Sequence, residues 1–228
     1  MSTSEKVTRQ LQRMRRGVPF SISQFHELGS AASVQKALSR LAHEGLIERV
    51  AKGIYVRPKS LASMPSIKIS ASAEQIAKKW AQQNGYTLVR QGIESAYRLG
   101  LQTQAPVKTV FWSNGASRVF SVGNEIVEVR HVAESKLRWK SRPEGELLRS
   151  FTVTPAHSVK LSELKKALSR LKLSEAESRT AIKKLKATPL PEGWHIKLEQ
   201  FEKEMMVSRL REAQDKINAG ISRGTSDQ

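Results

Sequence analysis

At Gly45 the spacing of apolar residues changes, and that change narrows the folds open to this chain. Upstream, Val34, Leu38 and Leu41 recur at helical spacing between Ser30 and about Glu44, so one face of an amphipathic helix must be buried. Downstream, in GLIERVAKGIYVRP (45–58), Leu46, Glu48 and Val50 alternate with Ile47, Arg49 and Ala51. Ile54-Tyr55-Val56 mirrors them across Lys52-Gly53. A period of two on both sides of a Lys-Gly turn predicts a β-hairpin. Gly45 suits the residue just past the helix, where left-handed backbone costs glycine nothing. Gly53 supplies the positive φ that a tight turn requires.

The residues before this pair complete a recognisable order. Val7, Leu11 and Met14 predict a helix over 4–16, with Ser4 as its N-cap and Arg13, Arg15 and Arg16 in its last turn, where the helix dipole favours cations. Val18-Pro19-Phe20 reads as extended. Ser21 or Ser23 caps a second, short helix through Phe25 and Leu28, broken at Gly29-Ser30. Helix, strand, helix, helix and hairpin in some 60 residues is the order of a winged helix-turn-helix. In that arrangement the second helix enters the major groove of DNA.

Charge favours the same reading. The 228 residues carry a formal net charge of +18, and a polyanion is the usual partner of such a field. Residues 1–60 hold 11 Lys and Arg against 4 acids, and residues 136–186 hold 14 against 5. Residues 61–135 are milder, with 8 against 5, and residues 187–228 are almost neutral, with 6 against 7. There is no cysteine, which removes thiol nucleophiles, thiolate zinc sites and disulfides together. The polar N-terminus and the lack of a long apolar run predict a soluble cytoplasmic protein without a membrane partner.

Further along, KSLASMPSIKIS (59–70) has the composition of a linker. A helix over 72–85 capped by Ser72, a shorter helix over 92–101 and three β-rich stretches over 107–132 predict a small α+β domain. Helix returns over 144–150 and 159–186, and a last helix over 197–217 carries Leu198, Phe201, Met205 and Ile217. The expected class is therefore α+β: a winged helix-turn-helix (1–60), an α+β middle domain (70–135), a basic helical region (136–217) and a disordered tail (218–228). KALSRL occurs at both 36–41 and 166–171. Its flanks do not match, so chance agreement between good helix formers outweighs duplication.

With Val34, Leu38 and Leu41 inward, the helix faces solvent with Ser30, Ala32, Ser33, Gln35, Lys36, Ser39, Arg40 and His43, of which Ser30, Ser33, Gln35, Lys36, Ser39 and Arg40 are the candidate DNA contacts. Gln pairs bidentately with adenine and Arg with guanine, while Lys36 and Arg40 serve phosphates equally well. Lys52 at the hairpin tip, with Arg49 and Arg57 along its strands, is expected to reach the flanking backbone, giving affinity and register rather than sequence. An ordinary solvated helix face is the competing reading of the helix taken alone. The basic stretch 164–186 reads equally as a second DNA contact, a surface for an acidic protein, or a bundle helix with a soluble face. Trp80, Trp112, Trp139 and Trp194 are too scattered for a base-stacking platform and read as buried anchors.

The stretch FSISQFHELGSAASVQKALSRLAHEGLIERVAKGIYVRP resembles the N-terminal winged helix of AbiEi-type antitoxins, from type IV toxin–antitoxin and abortive-infection loci. The shared features are a capped short helix, an LGS turn, an ALSRL recognition helix and a glycine-tipped wing ending near proline. GIESAYRLGLQTQAPVKTVFWSNGASRVFSVGNEIVEVRHV is similar to the second domain of that family, and together the likeness covers about residues 5–135. The resemblance implies a protein that represses its own operon as a monomer or homodimer on inverted repeats in double-stranded DNA. It also implies neutralisation of a partner toxin, typically a nucleotidyltransferase. Two alternatives remain: an antitoxin that sequesters its toxin directly, and a stand-alone regulator whose middle domain senses a ligand.

Catalysis finds little support. Asp occurs only at 215 and 227, and the five histidines (26, 43, 131, 157, 195) are far apart. HELGS (26–30) and HEGLI (43–47) begin like a zincin motif but lack histidine at the fifth position. No phosphate-binding glycine loop or nucleophile elbow appears. No enzyme, cofactor or metal site is expected.

Overall fold

The computed structural model describes residues 1–60, 68–140 and 142–224. It is an α+β protein whose chain divides into two compact units. The first comprises Met1–Arg90 and Val107–Arg138, and the second comprises Gln91–Pro106 and the chain from Trp139 onward.

In the first unit, helix α1 (Thr3–Arg13) begins at Ser2, not at Ser4 as expected. The Ser2 hydroxyl accepts from the Glu5 amide while the Glu5 carboxylate accepts from the Ser2 amide. This reciprocal box needs an acceptor three residues on, which Ser4 lacks because Val7 stands there. Strand β1 (Pro19–Ser21) leads into a 3-10 helix (Ile22–Leu28) that Ser21 caps with Gln24. Helix α2 (Ala31–His43) follows, capped by Ser30. Its end is a Schellman turn: Gly45 N–H donates to the Ala42 carbonyl, Leu46 N–H donates to that of Leu41, and Gly45 has φ +70°.

Strands β2 (Glu48–Ala51) and β3 (Ile54–Val56) form the hairpin, and β1 joins it to give the order β1-β3-β2, all antiparallel. β3 is covered on both faces. Tyr55 joins Val7, Leu11, Phe20, Phe25, Val34, Leu38 and Leu41 in one core. Ile54 and Val56 join a second core with helix α3 (Ala73–Gln83). Burial on both sides explains why the strand reads Ile-Tyr-Val without polar alternation.

Two short strands, β4 (Lys59–Ser60) and β5 (Lys68–Ile69), pair where a linker was expected; residues 61–67 of that stretch lie outside the described residues. Strands β6 (Leu88–Arg90), β7 (Thr109–Ser113), β8 (Arg118–Val122) and β9 (Glu125–His131) form a sheet in the order β6-β7-β9-β8, with β7 and β9 parallel. Phe111, Phe120, Val127 and Val129 from this sheet pack on α3 beside Ile54 and Val56. The alanine-rich face of α3 (Ala73, Ala77, Ala81) thus lies between two sheets, so residues 1–60 and the β-rich middle stretch share a core rather than forming separate domains.

The second unit takes helix α4 (Gly92–Leu99) out of the expected middle domain. Ala96, Leu99 and Leu101 pack with Leu147 and Phe151 of α5 (Pro143–Phe151), with Leu164 and Leu168 of α6 (Leu161–Arg170), and with Ile182 and Leu185 of α7 (Glu175–Lys186). The single helix expected over 159–186 is therefore two. Ser174 starts α7 through a capping box with Glu177, and Lys172 in the connection has φ +56°. The last helix, α8, runs Trp194–Gly224 and buries Trp194, Leu198 and Phe201, with Met205 beside them. It extends past residue 218, where the tail was expected to begin. Residues 225–228 and the side chain of Ile217 lie outside the described residues. Trp80 and Trp194 are buried, whereas Trp112 and Trp139 are half-buried. No helix among the described residues is long and apolar enough to cross a membrane.

At Gly29 space alone excludes a side chain. A Cβ at Gly29, between the 3-10 helix and α2, would sit 2.5 Å from Thr3 Oγ1 and 3.2 Å from Thr3 Cβ. Thr3 is stiff at χ1 and cannot swing clear easily. Gly29→Ala is expected to destabilise the first unit by about 1–3 kcal/mol, read from the urea midpoint.

Candidate nucleic-acid interface

The side chains that face solvent from α2 follow from its packing. Val34, Ala37, Leu38 and Leu41 are buried, which leaves Ser30, Ser33, Gln35, Lys36, Ser39 and Arg40 exposed. Not all of them are available. Ser30 and Ser33 face each other at the helix start, hydroxyl to hydroxyl at 2.8 Å, and the Ser30 hydroxyl accepts from the Ser33 amide at 3.2 Å. Both hold the cap, although their hydroxyls remain at the surface. Arg40 donates to the Ser4 hydroxyl and pairs with Glu44 at 3.4 Å. It was expected to face a guanine or a phosphate, yet its contacts turn it toward the start of α1. Gln35, Lys36 and Ser39 have no hydrogen-bond or ion-pair partner among the described residues.

The hairpin is joined to α2 through one core, because Ile47 and Tyr55 pack with Val34, Leu38 and Leu41. Arg49 stands directly opposite Tyr55 in the β2–β3 register and so shares the sheet face that carries the helices. It is exposed. The register slips between Arg49 and Ala51, and such a bulge strengthens the local twist. Lys52 is exposed at the turn beside Gly53, whose φ is +72°. Neither Arg49 nor Lys52 has an ion-pair partner among the described residues.

The tip is held from two sides. The Gly53 carbonyl accepts from the Ile22 amide at 2.9 Å, and a Cβ at Gly53 would lie 3.0 Å from Gln83 Nε2. Gln83, at the end of α3, is therefore part of the surface around Lys52. Sequence reasoning missed it because the contact joins residues some thirty positions apart, with no local signal.

Arg57 departs most from expectation. Its Nη1 donates to the carbonyls of Gln12 at 3.0 Å, Leu11 at 3.3 Å and Met14 at 3.4 Å. It caps the C-terminal end of α1, whose last carbonyls have no partner within the helix. Burial, and then the neighbouring Arg16, pull its proton affinity below the ordinary arginine value. Arg57 thus clamps the end of α1 through Nη1. Arg57→Ala is expected to lower stability by about 1–2 kcal/mol while leaving the salt dependence of any DNA binding unchanged, as titration at several salt concentrations would measure.

Among the cations of α2 and the hairpin, Lys36, Arg49 and Lys52 are thus exposed without a protein partner among the described residues, with Gln35 and Ser39 beside Lys36 on α2. Among the described residues no cluster of three His, Asp or Glu could hold a metal ion.

The model of one protein family matches residues 6–175, most of the chain. The chain belongs to the DUF6088 family, a family of unknown function. The match takes in the helix–hairpin surface of this DUF6088 member, the four-stranded sheet and the second unit as far as the start of α7. No curated protein matches it. Among solved structures it is similar to the Rv2827c protein from Mycobacterium tuberculosis, with 16% identity over 87% of this chain and 80% of that one, at a TM-score of 0.38.

Proposed function

We propose that the first unit is a winged helix-turn-helix that binds duplex DNA, with α2 in the major groove and the Lys52 turn on the flanking phosphates. The observation that carries this reading is the pairing state of the surface. Gln35, Lys36 and Ser39 on α2, and Arg49 and Lys52 on the hairpin, are exposed without protein partners among the described residues. Chemistry of this kind suits base edges on the helix and phosphates on the ribbon. Together with the resemblance to AbiEi-type antitoxins, it supports an autorepressor that binds inverted repeats in its own operator and antagonises a nucleotidyltransferase-type toxin.

Fluorescence anisotropy with duplex from immediately upstream of the gene, against a scrambled duplex, tests the first part. Tighter binding to the upstream duplex is expected. Gln35→Ala is expected to lose about 1–3 kcal/mol of discrimination at one base position and to leave binding to scrambled duplex unchanged. Equal affinity for both duplexes, or equal effects of the substitution on both, would overturn the groove assignment. Co-expression with a neighbouring nucleotidyltransferase-type gene tests the second part, with relief of growth arrest as the expected result. Co-purification of the two proteins would instead favour sequestration of the toxin.

A further inference from the structure

Where α2 ends, it meets the second half of α1 and the base of the hairpin in a groove of about 310 Å³, whose described lining residues all belong to the first unit. That volume is at the small end of ligand pockets. Helix α2 has 13 residues and so spans roughly 20 Å, which sets the groove well apart from the Ser30 end. Arg57 follows the last residue of β3, at the end of the hairpin opposite Lys52. The groove is therefore not the surface assigned to DNA.

Part of its lining is apolar. Leu11, Leu41 and Pro58 line it and are buried, while Leu46 lines it with 54% of its surface exposed. An exposed leucine beside buried ones leaves apolar surface for a ligand to cover. Two guanidiniums share the groove, Arg16 and Arg57, and none of its described lining residues is acidic. Nη1 of Arg57 serves the end of α1, but its Nε and Nη2 have no partner among the described residues. Arg16 is exposed, and its Nη1 donates to the Pro58 carbonyl at 3.4 Å, a long bond. Burial first, and then Arg16, lower the proton affinity of Arg57, so the two cations are near enough to repel each other. An anion held between them would offset that repulsion.

We propose that this groove binds a small phosphate monoester with an apolar body, the two guanidiniums taking the phosphate and the leucines the rest. Two positive charges match a phosphate dianion better than a single carboxylate, and the planar fork of arginine suits phosphate oxygens. The site stands independently of DNA binding by α2 and the Lys52 turn.

Isothermal titration calorimetry of the full chain, without DNA and at fixed ionic strength, tests it. Phenyl phosphate is expected to bind more tightly than inorganic phosphate, because only the ester covers the leucines. Arg16→Ala is expected to raise the dissociation constant of both probes about tenfold or more. Arg15→Ala removes an exposed arginine that does not line the groove and is expected to leave both constants unchanged. Leu46→Ala is expected to weaken phenyl phosphate about threefold and leave inorganic phosphate as it was. Arg16 and Leu46 are exposed, so neither substitution should alter the far-ultraviolet circular dichroism. Equal affinity for the two probes, or equal losses from Arg15→Ala and Arg16→Ala, would overturn the proposal, the second because the probe would then sense only the overall charge. No binding of phenyl phosphate, with Arg16→Ala flattening the salt dependence of duplex binding, would also overturn it and assign Arg16 to the DNA backbone.

Discussion

Reversing the charge of Lys36 and Lys52 together is expected to weaken binding to any duplex, cognate or scrambled, by about 100-fold or more at moderate salt. Each phosphate that a lysine no longer neutralises takes about 0.9 from the slope of log affinity against log salt, so the double change Lys36→Glu, Lys52→Glu should flatten that slope by about 2. The added repulsion between carboxylate and phosphate makes the effect larger than that of alanine. Neither residue has a protein partner among the described residues, so the urea midpoint should not move. An unchanged salt slope would remove α2 and the hairpin tip from the interface together.

Trp194→Ala is expected to have the largest effect on the fold, a destabilisation of about 3–5 kcal/mol. The indole is fully buried. It stacks on Phe151 with ring centroids 3.7 Å apart and planes 16° from parallel, and its Nε1–H donates to the Thr154 carbonyl at 2.9 Å. Truncation therefore opens a cavity and also leaves a buried carbonyl without its donor. The damage should be confined to the second unit, because α3 and the sheets of the first unit have their own core around Trp80 and Phe120. Hydrogen exchange resolved by segment is the measurement: α5, α6 and α8 should lose protection while α2 and β3 keep theirs. A destabilisation below about 1 kcal/mol would mean that the second unit repacks around the gap.

The contrast between Arg57 and Lys52 marks how far residue type alone can carry a reading of the interface. Both are cations of the same predicted hairpin, and nothing in GLIERVAKGIYVRP distinguishes their roles. In the fold, one guanidinium closes the end of α1 across more than forty residues of sequence, while the ammonium at the turn has no partner among the described residues. Arg40 departs from expectation for the same reason, since Ser4 and Glu44 engage it. The split between α6 and α7 is a different case. Its signal, Ser174 followed by Glu177, stands in the sequence and is masked by the run of basic helix formers around it.

Caps, periods and turns are short-range, and they are legible in the sequence. Residue spacing determined α2 with its glycine end, the Lys52-Gly53 hairpin, the Ser72 cap of α3, the strands between 107 and 132 and the α+β class, because each depends on neighbours within a turn or a strand. Tertiary structure alone decided that α3 seals the second face of β3, that α4 belongs with the C-terminal helices, and which cations stay unpaired. Those outcomes follow from burying apolar faces that lie far apart along the chain, and no local pattern records which face will meet which.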